Sequence, residues 1–122
     1  MGVMVLTFSQ TVVAHHSGAM FDMQMNITLQ GTVKSFEWIN PHCWIQVMVP
    51  APPGATIEWS IEMGSVAELY RSGLRHSTFK PGDKLSVTIH PTRDGTHGGL
   101  FASALTAGGV RLGGAAAQAT SP

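Results

Sequence analysis

Histidine and methionine are the residues of this 122-residue chain whose chemistry stands out. The sequence contains six histidines and seven methionines, and imidazole nitrogens and thioether sulfurs are both ligands of late transition metals. One histidine ends the turn Asn40-Pro41-His42, another begins His90-Pro91, and His97 follows in the same glycine-rich loop. Neutral imidazole is a common ligand of late transition metals, so these histidines predict a metal site. Three ligands from separate loops would leave a coordination position of the ion open.

Each of these histidines also has an ordinary structural role that the sequence leaves open. His42 can orient its turn through a hydrogen bond to the backbone, His90 can end a strand, and His97 can be a solvated loop residue. Cys43 has the same parity as Ile45 in an alternating run. It is therefore predicted to be a small buried hydrophobe rather than a ligand.

The N-terminus has the features of a short signal peptide. Residues 1–14 carry no charge, are apolar from Val3 to Phe8, and end in Val12-Val13-Ala14, which places small residues at the positions that signal peptidase reads. We therefore predict a signal peptide over residues 1–14 and export to the periplasm. The alternative is an apolar arm that packs on the domain.

Cleavage after Ala14 would create a second group of metal ligands. His15 would then offer its α-amine and imidazole together, a pair suited to Cu(II), and His16 follows at once. Met20, Met23 and Met25 supply thioethers suited to Cu(I). The structural alternative is an N-terminal arm whose Met20 and Phe21 cover the open end of the barrel.

Composition limits the classes of function. The chain is long enough for one domain. Seven basic and seven acidic residues balance, and only 11% of residues are charged, which argues against binding to nucleic acid or to an anionic membrane surface. No apolar run approaches the roughly 20 residues of a membrane-spanning helix. The single cysteine excludes an intramolecular disulfide.

The order of predicted elements is β-β-β-α-β-β. A change of phase after Lys34-Ser35 indicates a β-bulge within one long first strand, and Ser65 with Glu68 forms a capping box that predicts the helix start. The predicted strands cover residues 27–39, 43–49, 56–63, 85–90 and 100–106. This order predicts a mainly β, small five-stranded OB-like barrel with one short helix between strands 3 and 4, although the order alone also fits another small barrel or a sandwich. We predict one domain over residues 15–112 and a disordered Ala/Gly-rich tail over 113–122.

In an OB barrel the loop between strands 1 and 2 and the loop between strands 4 and 5 flank the usual binding face. This topology brings His42 towards His90 or His97. The same stretches hold residues for stacking and polar contacts with a small molecule or oligosaccharide: Asn40, Trp44, Arg93 and Asp94. The last two can equally pair with each other in a turn.

No catalytic arrangement is evident. The sequence has no Ser-His-Asp spacing and no phosphate-binding loop. Glu58 and Glu62 share a strand face with Ser60, and the alternation predicts that this face is solvated. We therefore predict a binding protein rather than an enzyme.

The order of short motifs resembles a family of small exported bacterial proteins of unknown function. The motifs are AHHS, NPH-x-W, E-W, G-S, PGD and HP-x-RDG, and they span roughly residues 14–106. The resemblance implies export and the extent of the domain, and it implies no activity. Met23 and Met25 lie outside this pattern, and Cys43 stands at a position that the pattern leaves open.

Together these observations predict an exported, periplasmic metal-binding or metal-handling protein. Its cofactor is a transition metal ion, copper ahead of zinc, and its candidate ligands are His42, His90, His97, His15 and His16. The alternative is a non-enzymatic module of the cell envelope that binds a small molecule, an oligosaccharide or a protein partner. Nucleic acid is not expected as a partner, and no transmembrane segment is expected.

Overall fold

The computed structural model of the protein describes residues 18–114. The predicted signal peptide, His15, His16 and the predicted tail from residue 115 onward lie outside this range. A 3-10 turn at Gly18–Met20 is followed by strands β1 Ile27–Glu37, β2 Trp44–Ala51 and β3 Ala55–Glu62, helix α1 Val66–Arg71, and strands β4 Lys84–Pro91, β5 Gly98–Thr106 and β6 Arg111–Gly113.

The strands form one sheet that closes on itself. Its order is β3-β2-β1-β4-β5-β6, and β3 also pairs with β5. The closing contact is parallel and short, joining Ser60–Glu62 to Gly98–Leu100. The predicted five-stranded OB-like barrel, with a short helix between strands 3 and 4, is confirmed.

Strand β1 bends so that it belongs to both halves of the barrel. Its first part pairs with β4, and its second part pairs with β2. The register to β2 shifts between Val33 and Ser35, where the change of phase predicts the bulge. Gly31 lies at the crossing, where an added Cβ would lie 2.4 Å from the carbonyl oxygen of Met48. The sharp bend therefore requires a residue without a side chain.

The inward side chains of all five barrel strands form one core. Cys43, Ile45, Val47, Ile61, Val87 and Ile89 are each fully buried, and burial of such an aliphatic side chain contributes about 1.5–3 kcal/mol. Cys43 is buried, as its parity predicts.

Helix α1 begins as predicted. The backbone N–H of Glu68 donates to Ser65 Oγ at 3.2 Å, and the N–H of Ser65 donates to Glu68 Oε2 at 3.1 Å. Leu69 is the buried residue of this short helix. No helix within residues 18–114 has the length and apolarity needed to cross a bilayer.

Strand β6 is an addition to the predicted elements. It pairs with residues 103–105 of β5, and Leu112 packs against the core. Three residues are too few to show an alternation that a sequence pattern can detect.

Candidate functional site

The two histidine-bearing loops lie beside the C-terminal end of β3. The loop between β1 and β2 contacts it through the N–H of Cys43, which donates to the carbonyl of Gly64 at 2.9 Å. The loop between β4 and β5 contacts it through the carbonyl of His97, which accepts from the N–H of Ser60 at 3.0 Å. The barrel therefore brings both loops to one short stretch of strand.

His42 points back over this strand end. Its Nδ1 lies 3.3 Å from the carbonyl oxygen of Met63 and 3.7 Å from Oε1 of Glu62. A carbonyl oxygen only accepts, so Nδ1 carries the hydrogen in this contact. The ring is thereby oriented by two oxygen atoms, and its side chain is 36% exposed.

Glu62 is the residue of this region that the sequence interpretation missed. It is 3% exposed, the one buried charged residue within residues 18–114, so the prediction that it lies on a solvated face is wrong. The reason is the closure of the barrel, which places Glu62 opposite Trp44 on β2 and opposite Leu100 on β5. No local pattern signals this burial, because the alternation along β3 is the same for buried and exposed carboxylates.

Glu58 stands on the same face of β3 but beyond the residues that pair with β5. It is exposed and forms an ion pair with Lys34. The prediction of a solvated face therefore holds for Glu58.

His90 lies in the same row of paired residues as Glu62. His90 pairs with Leu100, and Leu100 pairs with Glu62. Because His90 follows the inward Ile89, its side chain lies on the outer face of β4. Its Nδ1 lies 3.0 Å from the carbonyl oxygen of Met25. This contact requires a hydrogen on Nδ1, so in the neutral ring Nε2 carries the lone pair. Nε2 has no hydrogen-bond partner in the described part of the chain.

The segment before β1 runs beside the loop that follows β4. Phe21 forms a bridge with Thr92, and the N–H of Arg93 donates to the carbonyl of Met20 at 3.0 Å. Phe21 is buried, whereas Met20 is 51% exposed. Of the two residues expected to cover the fold, only the phenylalanine is buried.

His97 lies apart from the other two histidines. Its ring packs edge-on against Trp59, with 5.1 Å between ring centroids. Trp59 alternates along β3 with Ser60 and Glu62, so it occupies the opposite face of the strand from the carboxylate that His42 contacts. Within residues 18–114 no three His, Cys, Asp or Glu side chains form a group able to hold a metal ion. The predicted metal-binding role of the histidines, including His15 and His16, stays a prediction.

Two of the predicted ligand-binding residues have partners inside the fold. Asn40 Oδ1 accepts from the N–H of Val66 at 3.0 Å and so satisfies a donor at the start of α1. Asp94 Oδ1 accepts from the N–H and the hydroxyl of Thr96, at 3.0 and 2.7 Å. These hydrogen bonds, that of the backbone N–H first, lower the pKa of Asp94.

The other two predicted ligand-binding residues, Arg93 and Trp44, differ in their exposure. Arg93 is exposed and forms no ion pair with any residue between 18 and 114, and Trp44 is half-buried beside Glu62. A groove of about 420 Å³ lies elsewhere, around Lys84, Ser86 and Leu105.

Replacement of Asn40 by alanine should destabilise the fold by about 1 kcal/mol, as expected for the loss of a helix-capping side chain. The N–H of Val66 would then lose its acceptor. The matched control is Asn26→Ala, because Asn26 is exposed and precedes β1. Urea denaturation measures both variants. Equal midpoints for N40A and the parent chain would show that water replaces the amide without cost.

The Cys43 thiol should react slowly in the native protein. It is fully buried and donates to the carbonyl of Ile39 at 3.5 Å, and burial raises the pKa of the thiol. The folded state thus holds the proton more tightly than the unfolded state, so stability falls as pH rises above the usual thiol range near about 8.5. A chromogenic disulfide reagent should label native protein slowly and urea-unfolded protein rapidly. Equal labelling rates would contradict the buried placement.

Comparison with known proteins gives a family. A family model described as a family of unknown function, DUF6152, matches residues 4–102, most of the chain. No curated protein and no solved structure matches the chain. The chain therefore belongs to DUF6152, a family of unknown function.

Proposed function

We propose that this protein is an exported, periplasmic copper-binding protein that holds and passes on the ion. The observation that carries the proposal is the orientation of His90, whose Nδ1–H donates to the carbonyl of Met25. Histidines that bind metal almost always donate their other ring N–H to a carbonyl or carboxylate, which directs Nε2 to the ion. His90 has this arrangement.

His42 has a related arrangement, because its Nδ1 lies near the carbonyl of Met63 and the carboxylate of Glu62. The Cα atoms of Glu62 and His90 are separated by two strand spacings, roughly 10 Å. His90 therefore lies two strands away from the carboxylate beside His42, and further ligands for His90 come from another segment.

Exposed methionines favour copper over zinc. Met23 and Met25 are 46% and 49% exposed, although methionine more commonly fills cores. Thioether and imidazole together suit copper, whereas zinc prefers thiolate, imidazole and carboxylate. His15 and His16 stand shortly before this segment. Export with cleavage after Ala14 would add the α-amine of His15 to the set.

The test is the thermal stability of the exported chain with Cu(II), with Cu(I) under a reductant, and with Zn(II). An ion that binds the folded state raises stability, by about 2.7 kcal/mol at a concentration 100 times its dissociation constant. We expect this gain with copper and a smaller gain with zinc. Mass spectrometry of the native exported protein reports the N-terminus and any bound metal together.

The matched variants are His90→Asn and His76→Asn. An asparagine amide can replace Nδ1–H as donor to Met25 but offers no imidazole, so H90N should lose the copper-induced gain. His76 is exposed after the helix, and H76N should keep the gain. Absence of a shift with all three ions would refute the proposal.

The alternative function is binding of a small molecule, an oligosaccharide or an envelope protein. Two of its four candidate residues, Asn40 and Asp94, already bond within the fold, so we place it second. It predicts that a glycan changes the tryptophan fluorescence while metals have no effect.

A further inference from the structure

The turn Asp22–Met25, here called the methionine turn, is an excursion of the chain beside His90. Phe21 bridges to Thr92, and Ile27 pairs with Ile89. Residues 22–26 therefore stand opposite only residues 90 and 91, so the chain has to arch outward between the two pairings. His90 is one of the two residues beneath this arch.

Hydrogen bonds hold the backbone of the methionine turn in place. The N–H of Met25 donates to the carbonyl of Asp22 at 3.1 Å, and the N–H of Gln24 donates to Asp22 Oδ1 at 3.1 Å. The N–H of Asp22 donates to the carbonyl of Pro91 at 2.8 Å, and Nδ1 of His90 donates to the carbonyl of Met25 at 3.0 Å. The turn is thus fastened to the strand that carries the imidazole.

This ordered backbone presents two thioethers to solvent. Met23 and Met25 are 46% and 49% exposed, although a turn of this kind favours polar residues. Both side chains are unbranched and have three rotatable bonds. Because the carbonyl of Met25 accepts from the ring of His90, the side chain of Met25 begins beside that ring, and Met23 lies two residues earlier on the same turn.

Met20 is equally exposed but differs in position. It precedes the Phe21 bridge, and its carbonyl accepts from the N–H of Arg93. It therefore lies before the arch and provides an internal control of the same residue type in the same segment.

We propose that Met23, Met25 and Nε2 of His90 form a binding site for Cu(I). Two soft thioethers and one imidazole favour Cu(I) over Zn(II) and over the harder divalent ions. The inference rests on the proposed copper function and adds its oxidation state and its ligands. It is independent of where the chain is cleaved, because all three residues lie within the folded part.

The experiment is competition for Cu(I) between the full chain and a chromophoric Cu(I) chelator, under reductant and without oxygen. The variants are the double substitution Met23→Leu with Met25→Leu, the single substitution His90→Asn, and the control Met20→Leu. Leucine keeps an apolar side chain of similar volume and removes the sulfur. Circular dichroism of each variant checks that the barrel is retained.

We expect the double variant and H90N each to weaken Cu(I) binding by at least about 10–100-fold. Loss of an outer partner that only orients a metal ligand already costs this much, and these variants lose a ligand itself. M20L should bind as the parent chain does, and excess Zn(II) should not displace Cu(I). X-ray absorption of the Cu(I)-loaded chain should show sulfur neighbours that the double variant lacks.

Other outcomes separate the two proposals. Parent-like Cu(I) affinity in the folded double variant would overturn the methionine site and leave copper binding at other histidines standing. Equal weakening by M20L would also overturn this ligand set. A parent chain that takes neither Cu(I) nor Cu(II) from a chelator would refute both proposals.

Discussion

Replacement of Glu62 by lysine should destabilise the protein by about 3–5 kcal/mol, the usual cost of leaving an uncompensated charge buried. Glu62 is 3% exposed, with Trp44 and Leu100 opposite it on the two neighbouring strands. A lysine ammonium at this position would be cut off from water and would lie near His42 instead of a carboxylate. Urea denaturation at neutral pH measures the loss.

The same change at Glu58 is the matched control. Glu58 lies on the same strand and face but is exposed, and it pairs with Lys34 at the surface. Loss of such a pair costs at most about 1 kcal/mol, so E58K should unfold near the parent midpoint. Glu62→Gln keeps the shape of the side chain without its charge and should lose less stability than E62K. Similar small losses in E62K and E58K would mean that the Glu62 carboxylate is hydrated in the folded protein.

Valine at position 31 should destabilise the protein by about 3 kcal/mol, at the upper end of the cost of overpacking. A Cβ on Gly31 would lie 2.4 Å from the carbonyl oxygen of Met48 and 2.8 Å from Cγ1 of Val47. The carbonyl belongs to the β1–β2 ladder, where Thr32 pairs with Met48, so it cannot retreat without loss of pairing. Strand propensity alone predicts the opposite sign, because valine favours strands and glycine does not.

Gly108→Val is the control for this substitution. At Gly108 the nearest atom to an added Cβ is Thr106 Oγ1, at 3.9 Å, so the side chain meets open space. Thermal or urea unfolding of both variants gives the comparison. Parent-like stability of G31V would show that the two strands separate without cost at the bend.

The parts of the fold that could be predicted from sequence are those set by neighbours along the chain. Alternation around Ile61 marks β3, the change of phase after Lys34 marks the bulge, and Ser65 with Glu68 marks the start of α1. In each case the physical cause acts within a few residues. The element order then leads to the barrel, because few small folds share it.

The site could be predicted only in part, because its geometry depends on contacts between distant segments. The burial of Glu62 follows from the parallel pairing of β3 with β5, which no local pattern encodes. Asn40 Oδ1 accepts from the N–H of Val66, the first residue of α1, so its polar side chain is already engaged. The two loops do reach the same strand, β3, but the two imidazoles contact residues on opposite faces of it. His97 thus packs on Trp59, away from the carboxylate beside His42.

The short parallel seam between β3 and β5 also bears on the order of folding events. Neighbouring antiparallel strands such as β2 and β3 meet through a tight turn, whereas the seam joins residues 60–62 to residues 98–100. Contacts between such distant segments carry a larger loop-closure cost than those of a tight hairpin. The Glu62 carboxylate, which this pairing buries, is therefore shielded from water only once the seam has closed.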